Sequence, residues 1–365
     1  MSAVVNKPLR IALVAPVATS VPPPRSGSIE TLTSLLAEGL VARGHDVTLF
    51  ATGTSRTLAT LHATFPRGYR DDDTLWPWEL CELFNLAAAV ERAASFDVIH
   101  AQAEYSPIAL AFTQVTPAPV VQTLHYAPEP AEVALWARYP EAPFIAVSQT
   151  QRRLLDGLNV VATVPHAVDL AALPFRAVPD DYLLFLGRFT EGKGVLQAIE
   201  IARRVQMRLV LAAEANEYFE HAVAPLVDGQ RVAYVGEVGP HEKAALLGGA
   251  RALLYPVQAD EPFGLVLAEA MACGTPVAAL DRGAVREVVD DGVTGVAFAS
   301  LDALVEGLAR VLALDRARVR AAAADRYGVD RMVDAHVEVY SRLAATRRHA
   351  VSPAVSAAIS PAGRA

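Results

Sequence analysis

Two glutamates, Glu261 and Glu269, are separated by seven intervening residues in the stretch EPFGLVLAEAMACGTPV, residues 261–277. Carboxylates are acceptor-only groups suited to vicinal hydroxyls, which a sugar or a ribose supplies in pairs. The residues between them read as the start of a helix. Gly264 lets a ligand approach the backbone, and Ala268, Ala270, Ala272 and Gly274 keep the helix thin. Unpaired N–H groups at a helix start, with the positive end of its dipole, attract phosphate oxygens. An anion flanked by two polyols has the chemistry of a nucleotide-sugar. A second stretch, FLGRFTEGKG, carries Arg188 and Lys193 on a loop flexed by Gly192 and Gly194. Two such cations can chelate a diphosphate and stabilise it as it leaves. A third, VPPPRSGSIE, places Gly27 where a helix opens, so that its backbone can meet the diphosphate or an acceptor from an opposite wall.

Short apolar runs alternating with helical patterns must position these groups, the mark of a parallel α/β architecture. In the first half the strands read RIALVAP, HDVTLFAT, FDVIHAQ, APVVQTLHY and PFIAVSQ, with helices SIETLTSLLAEGLVARG and WELCELFNLAAAVERAA between them. A fresh set begins at Tyr182: YLLFLGRF, MRLVLAA, RVAYVGEV, RALLYPV, TPVAAL and TGVAFA, with helices VLQAIEIARRV and SLDALVEGLARVLAL. The fold class expected is therefore α/β with two doubly wound, Rossmann-like domains facing across a cleft. The boundaries are residues 1–170 for an acceptor-side domain and 171–330 for a donor domain, joined by the linker 164–181 with its Pro165, Pro174 and Pro179. The tail 346–365 is Ala-, Ser- and Pro-rich and reads as disordered. Ligands of doubly wound sheets bind beyond the carboxyl ends of the strands, which puts the active site in the cleft.

Composition agrees. A chain of 365 residues, 53% hydrophobic and with mean hydropathy +0.28, can bury two cores. The net charge of −8, with acid in excess over base in residues 1–170 as well, argues against nucleic-acid binding. It also argues against a basic membrane-docking face, although peripheral contact stays open. Only Cys81 and Cys273 occur, so neither a disulfide framework nor a zinc site is implied, and a cytoplasmic compartment is expected. No apolar run reaches 18 residues. Lys7 and Arg10 before IALVAPVATSV read as the approach to a buried strand, because Pro16 interrupts the run and a helix follows at once.

The string Glu-Pro-Phe-Gly at 261–264 followed by Glu269 closely resembles the donor-site motif of family 4 of the retaining glycosyltransferases, also called glycosyltransferase group 1. The resemblance runs to about residue 345 and implies the GT-B fold. It implies a hexosyltransferase that uses a nucleoside diphosphate sugar as co-substrate, a UDP-sugar such as UDP-glucose by family frequency, with no cofactor and no metal. The acceptor is a small molecule or a saccharide. By the same resemblance Arg188 and Lys193 hold the diphosphate, and His125, at the tip of VQTLHY, faces the donor hexose. With Glu261 these form the expected catalytic set. The donor-binding set is Gly27, Arg188, Lys193, Gly236, Val238, Glu261, Phe263, Gly264, Leu265 and Glu269, the base being met mainly by backbone near residues 236–238. The helix VDRMVDAHVEVYSRLAA resembles the family's last helix, so residues 331–345 are expected to cross back to the first domain.

Where the family shows two adjacent glycines, this chain has Ser26-Gly27-Ser28, and His166-Ala167 replaces a common Asn-Gly. Ser148 matches a Val-Ser stretch, Glu30 a glutamate near the glycine loop, and His100 is a further acceptor-side candidate. Within the loop 54–80, Asp71 to Asp73 read as a solvated run rather than a metal site, and Trp76, Trp78, Phe65 and Tyr69 as an acceptor wall or core. A nucleotide-sugar epimerase or sugar phosphorylase on the same fold stays an alternative. An NAD-linked oxidoreductase is more distant, because no G-x-G-x-x-G follows the first strand.

Overall fold

The computed structural model describes residues 7–103 and 106–351. Its first sheet has seven strands: β1 (Arg10–Val14), β2 (Asp46–Thr52), β3 (Thr60–Phe65), β4 (Val98–Ala101), β5 (Val120–Thr123), β6 (Phe144–Ala146) and β7 (Val160–Thr163). They lie in the order β3-β2-β1-β4-β5-β6-β7, and each pair is parallel. The second sheet holds β8 (Leu183–Leu186), β9 (Leu209–Ala212), β10 (Val232–Tyr234), β11 (Ala252–Tyr255), β12 (Val277–Leu280) and β13 (Gly295–Phe298). Its order is β10-β9-β8-β11-β12-β13, again all parallel. In both sheets the order of strand addition reverses beside the first strand, at β1/β4 and at β8/β11. At such switch points the flanking loops diverge and open a crevice at the carboxyl edge.

Helices cover both faces of each sheet. Around the first are α1 (Ser28–Ala42), α2 (Trp78–Val90), α3 (Pro130–Trp136) and α4 (Gln149–Leu154). Around the second are α5 (Val195–Arg204), α6 (Pro240–Gly249), α7 (Leu265–Ala272), α8 (Val285–Val288), α9 (Leu301–Leu312) and α10 (Arg316–Tyr327). The two-residue period of a buried strand decides which helix each side chain meets. Ile11 and Leu13 pack with Leu36 and Leu40 of α1, whereas Ala12 and Val14 pack with Leu86 and Ala89 of α2. In the second sheet Leu184 faces α7, and Leu183 and Phe185 face α5 and α9.

All six strands expected after Tyr182 are present, but two strands of the first sheet, β3 and β7, are absent from the sequence reading. They are its two edges, and their side chains are mostly half-buried. An edge strand lacks the continuous apolar run by which a buried parallel strand is recognised. Within the loop expected at 54–80, residues 60–65 are thus β3.

The last helix, α11 (Val329–Val351), returns to the first sheet, where Val333 and Tyr340 join the core formed by Leu36 and Leu40. Arg43 Nε donates to Asp334 at 2.6 Å and Arg43 Nη2 to Asp330 at 3.0 Å, fastening α11 to the end of α1. The helix runs on through 351, past the expected end at 345, and the rest of the expected disordered tail, 352–365, lies outside the described residues. Outbound and returning crossings touch each other, since Val168 N–H donates to Tyr327 C=O at 2.8 Å. Among the described residues no helix is long and apolar enough to cross a membrane.

Candidate active site

Loops at the carboxyl ends of β8 and β11 build the donor-side wall, and they interlock. Gly194, at φ +77, adopts a left-handed conformation, and a side chain there would collide with Pro256 C=O. Gln258 N–H donates to Gly192 C=O at 2.8 Å. That junction delivers Lys193 Nζ to Glu261 Oε2, and Tyr255 Oη, at the tip of β11, donates to the same oxygen at 2.6 Å. Gly264, also left-handed at φ +80, caps α7, and a Cβ there would stand 2.9 Å from Leu267 and 3.2 Å from Tyr255 Oη. Leu267 N–H is bonded to Gly264 C=O at 2.9 Å, which leaves the N–H groups of Leu265 and Val266 at the start of α7 to receive an anion at this corner.

Glu269 lies in the second turn of α7 with 7% of its surface exposed. Lys243 of α6 donates to its Oε1 at 2.5 Å. A buried carboxylate needs such compensation, because ionisation away from water is costly unless the charge is paired. Arg188 is exposed and, among the described residues, has no hydrogen-bond or ion-pair partner. Phe263 is buried, packing edge-on against His166 at 5.0 Å and Tyr327 at 5.6 Å. What a ligand can meet at that residue is backbone. Leu265 packs with the cores of both sheets.

On the opposite wall the loop after β1 ends at Gly27, the N-cap of α1. A Cβ on Gly27 would stand 2.8 Å from Glu30 Oε2 and 2.9 Å from Pro23, so only glycine fits without a shift. The two walls meet here. Ser26 Oγ donates to Glu237 Oε1 at 2.7 Å, and Arg25 Nη1 donates to Glu237 Oε2 at 3.2 Å. Burial alone would raise the Glu237 carboxyl; the hydrogen bonds from Ser26 and Arg25 overcome it and hold it below the ordinary value. Glu237 stands between Gly236, left-handed at φ +80, and half-buried Val238, so the Gly27 loop and the expected base-binding loop are in contact.

His125 follows β5, its Nε2 2.8 Å from Gln102 Oε1. Its ring stacks on His166 at 5.3 Å, and through His166 it reaches Phe263 of the donor wall. Its Nδ1 is enclosed without a partner, and burial, followed by the proximity of His336, pushes the imidazole down to about 3. His125 is therefore neutral at physiological pH and available as a hydrogen-bonding group rather than a cation. His166 is lowered in the same direction by burial.

His100, expected on the acceptor side, is fully buried instead. Its Nδ1 meets Tyr340 Oη at 2.6 Å and its Nε2 meets Thr123 Oγ1 at 2.7 Å, so it ties α11 to the sheet. Ser148 caps α4, accepting from Gln151 N–H at 2.9 Å. Asp72 is engaged in a local turn, accepting from Thr74 Oγ1 at 2.6 Å and Thr74 N–H at 3.0 Å. Trp76 is 75% exposed, while Trp78 leans on Tyr69 with ring centres 6.1 Å apart. The loop carrying them is pinned to the loop after β1 by Tyr69 N–H to Val17 C=O and Arg70 N–H to Ala18 C=O, both 3.1 Å. Sequence reasoning did not single out Lys243, Tyr255, Glu237 or Gln102. For Tyr255 a signal existed, since it ends the strand RALLYPV at the carboxyl edge.

Two family models divide most of the chain: the glycosyl transferases group 1 model matches residues 175–326 and the Glycosyltransferase Family 4 model matches 29–172. The phosphatidyl-myo-inositol mannosyltransferase of Mycobacterium tuberculosis is 28% identical, the alignment spanning 88% of this chain and 93% of that protein. The crystal structure of AviGT4, a glycosyltransferase involved in avilamycin A biosynthesis, superposes with a TM-score of 0.72 at 28% identity, covering 93% of this chain and 99% of that one. Sucrose-phosphate synthase of Thermosynechococcus elongatus shares the fold, with a TM-score of 0.74 at 21% identity over 93% of this chain and 100% of its own.

Proposed function

The chain belongs to the GT-B glycosyltransferases of family 4, and we propose that it moves a hexose from a nucleoside diphosphate sugar to an acceptor hydroxyl with retention at the anomeric carbon. The observation that supports this most is the junction of Lys193, Tyr255 and Glu261 beside Gly264 at the start of α7. A cation, a hydroxyl-binding carboxylate and a helix N-terminus converge there within one corner of the crevice.

In this reading Lys193, Arg188 and the N–H groups of Gly264 and Leu265 hold the diphosphate. Glu261 accepts from hexose hydroxyls and Glu269 from the ribose, while neutral His125 faces the sugar from the other wall. The bond between the anomeric carbon and the diphosphate oxygen breaks as the acceptor oxygen bonds to the same face of that carbon. The acceptor proton passes to the departing phosphate oxygen. Charge grows on the diphosphate during this step, and fixed cations and N–H dipoles stabilise it without reorganisation. No protein nucleophile and no metal is required. A UDP-sugar such as UDP-glucose is the donor favoured, and a soluble small molecule or a growing saccharide the acceptor. The mannosyltransferase relative makes a nucleoside diphosphate mannose the second donor to test.

The test is a thermal-shift panel of UDP-, GDP-, ADP- and TDP-sugars, followed by NMR of the product formed with the best donor. Release of free nucleoside diphosphate with an α-linked product from an α-configured donor is expected. An inverted product would overturn the mechanism, and sugar isomerisation without transfer would favour the epimerase reading.

A further inference from the structure

Glu261 and Glu269 each have one oxygen engaged and one open. On Glu261, Oε2 accepts from both Lys193 Nζ and Tyr255 Oη. On Glu269, Oε1 accepts from Lys243 Nζ at 2.5 Å. Among the described residues Glu261 Oε1 and Glu269 Oε2 have no protein partner, and neither is a sealed, unpaired atom. From this asymmetry we propose that Tyr255 and Lys243 are positioning residues: Tyr255 aims Glu261 at the transferred hexose, and Lys243 aims Glu269 at the ribose. The inference rests on the donor-site reading above and assigns two residues that reading does not contain.

Tyr255 is suited to the task by its burial. Only 4% of the residue is exposed, and burial, then the nearby Glu261 charge, raises its phenol well above the ordinary value. It is thus a fixed O–H donor that cannot ionise near neutrality. Lys193 is different in kind. Its side chain is a quarter exposed and its ammonium has three donors, so it can turn toward an arriving diphosphate while keeping one bond to Glu261. If Lys193 alone held the carboxylate, Glu261 would swing with it. Tyr255 supplies the second point of attachment, and Ala284 N–H fixes the backbone by donating to Glu261 C=O at 2.8 Å.

Lys243 reaches Glu269 from a different helix, so the ribose-facing oxygen depends on the packing of α6 against α7. That packing is tight: Cys273, one turn beyond Glu269, sits against Ala244 C=O at 3.8 Å, and Thr275 Oγ1 donates to Leu247 C=O at 2.5 Å. The ammonium also supplies an ion-pair partner to a carboxylate with almost no surface of its own.

These positions predict a separation of effects. UDP carries the ribose and the diphosphate but no hexose, so its binding should depend on Lys243 and not on Tyr255. Calorimetry with UDP, and GDP alongside, is run on the full chain with Lys243→Met, Lys243→Arg, Tyr255→Phe and Glu269→Gln, each checked for an unchanged melting temperature. Lys243→Met should weaken binding about ten- to a hundredfold, the usual effect of a lost charged hydrogen bond, with Lys243→Arg recovering most of it. In turnover, Lys243→Met should raise donor KM more than it lowers kcat. Tyr255→Phe should bind UDP as the wild type does and lose about tenfold or more in kcat. Unchanged nucleotide affinity in Lys243→Met, with affinity lost in Glu269→Gln, would overturn the positioning role while leaving the donor site standing. Unchanged affinity in Glu269→Gln would instead refute the donor-site reading. Equal losses in UDP binding for Tyr255→Phe and Lys243→Met would reduce both residues to general support of the fold.

Discussion

Glu237 is the point where the two walls of the crevice are fastened, and its removal tests whether their approach matters for transfer. Glu237→Ala deletes the bond from Ser26 Oγ at 2.7 Å and the ion pair to Arg25 at 3.2 Å. The Arg25 side chain is 68% exposed, so that pair contributes about 0–1 kcal/mol. The Ser26 bond to a carboxylate that is only 19% exposed contributes about 1.5–3 kcal/mol. Together they stabilise the fastened arrangement by about 1.5–4 kcal/mol, or roughly ten- to a thousandfold in the equilibrium between closed and open forms. The pivot expected for that motion is the pair of crossings that meet where Val168 N–H donates to Tyr327 C=O, which would leave both sheets intact as the walls part. Small-angle scattering of ligand-free Glu237→Ala should therefore give a larger radius of gyration than the wild type. Addition of the nucleoside diphosphate sugar should restore compactness, because a ligand that touches both walls favours the closed form. Donor KM should rise, at most by the factor just given. A variant as compact as the wild type without ligand, and with the same KM, would refute closure as a requirement.

The remaining expectations concern the site and the fold. Lys193→Ala should depress kcat by at least tenfold more than it weakens donor binding, because the charge it meets grows as the glycosidic bond breaks; a variant that bound donor ten times worse but turned over normally would contradict this. Transfer should continue in excess EDTA, since in the proposed reading Arg188 and Lys193 do the work of a metal at the diphosphate, and abolition by EDTA with recovery in Mg²⁺ would redirect attention to Asp71–Asp73. Acid should destabilise the fold earlier than carboxylate protonation alone. His100 is buried and lowered well below its ordinary value, and burial lowers His336 to about 4. The unfolded chain therefore takes up protons below about pH 6.5 that the folded chain refuses, and stability falls from that point toward pH 4. At pH 5 the loss for one such histidine is about 2 kcal/mol, from roughly 1.36 kcal/mol per pH unit. Urea midpoints that coincide at pH 7.5 and pH 5 would exclude it.

What the sequence disclosed follows from how locally each feature is encoded. Glu261, Gly264 and Glu269 lie on one short loop-and-helix segment, so their types and spacing carry the geometry with them. Lys193 and Glu261 are 68 residues apart, yet both stand at the carboxyl edge of adjacent strands, β8 and β11, and doubly wound topology alone brings such loops together. The edge strands β3 and β7 were hidden because half-buried side chains leave no apolar run. His100 misled for the converse reason. A histidine at a strand tip resembles a ligand-facing group until α11 arrives from residue 329 onward and places Tyr340 against it. Lys243 and Glu237 were the least legible. Each acts on a partner in another helix or on the other wall, and neither has a pattern of its own. A motif specifies which carboxylates a site contains; which oxygen of each is already engaged depends on contacts between elements that spacing does not encode. That is why the presentation of Glu269 rests on how α6 packs, although α6 contributes no residue to the motif.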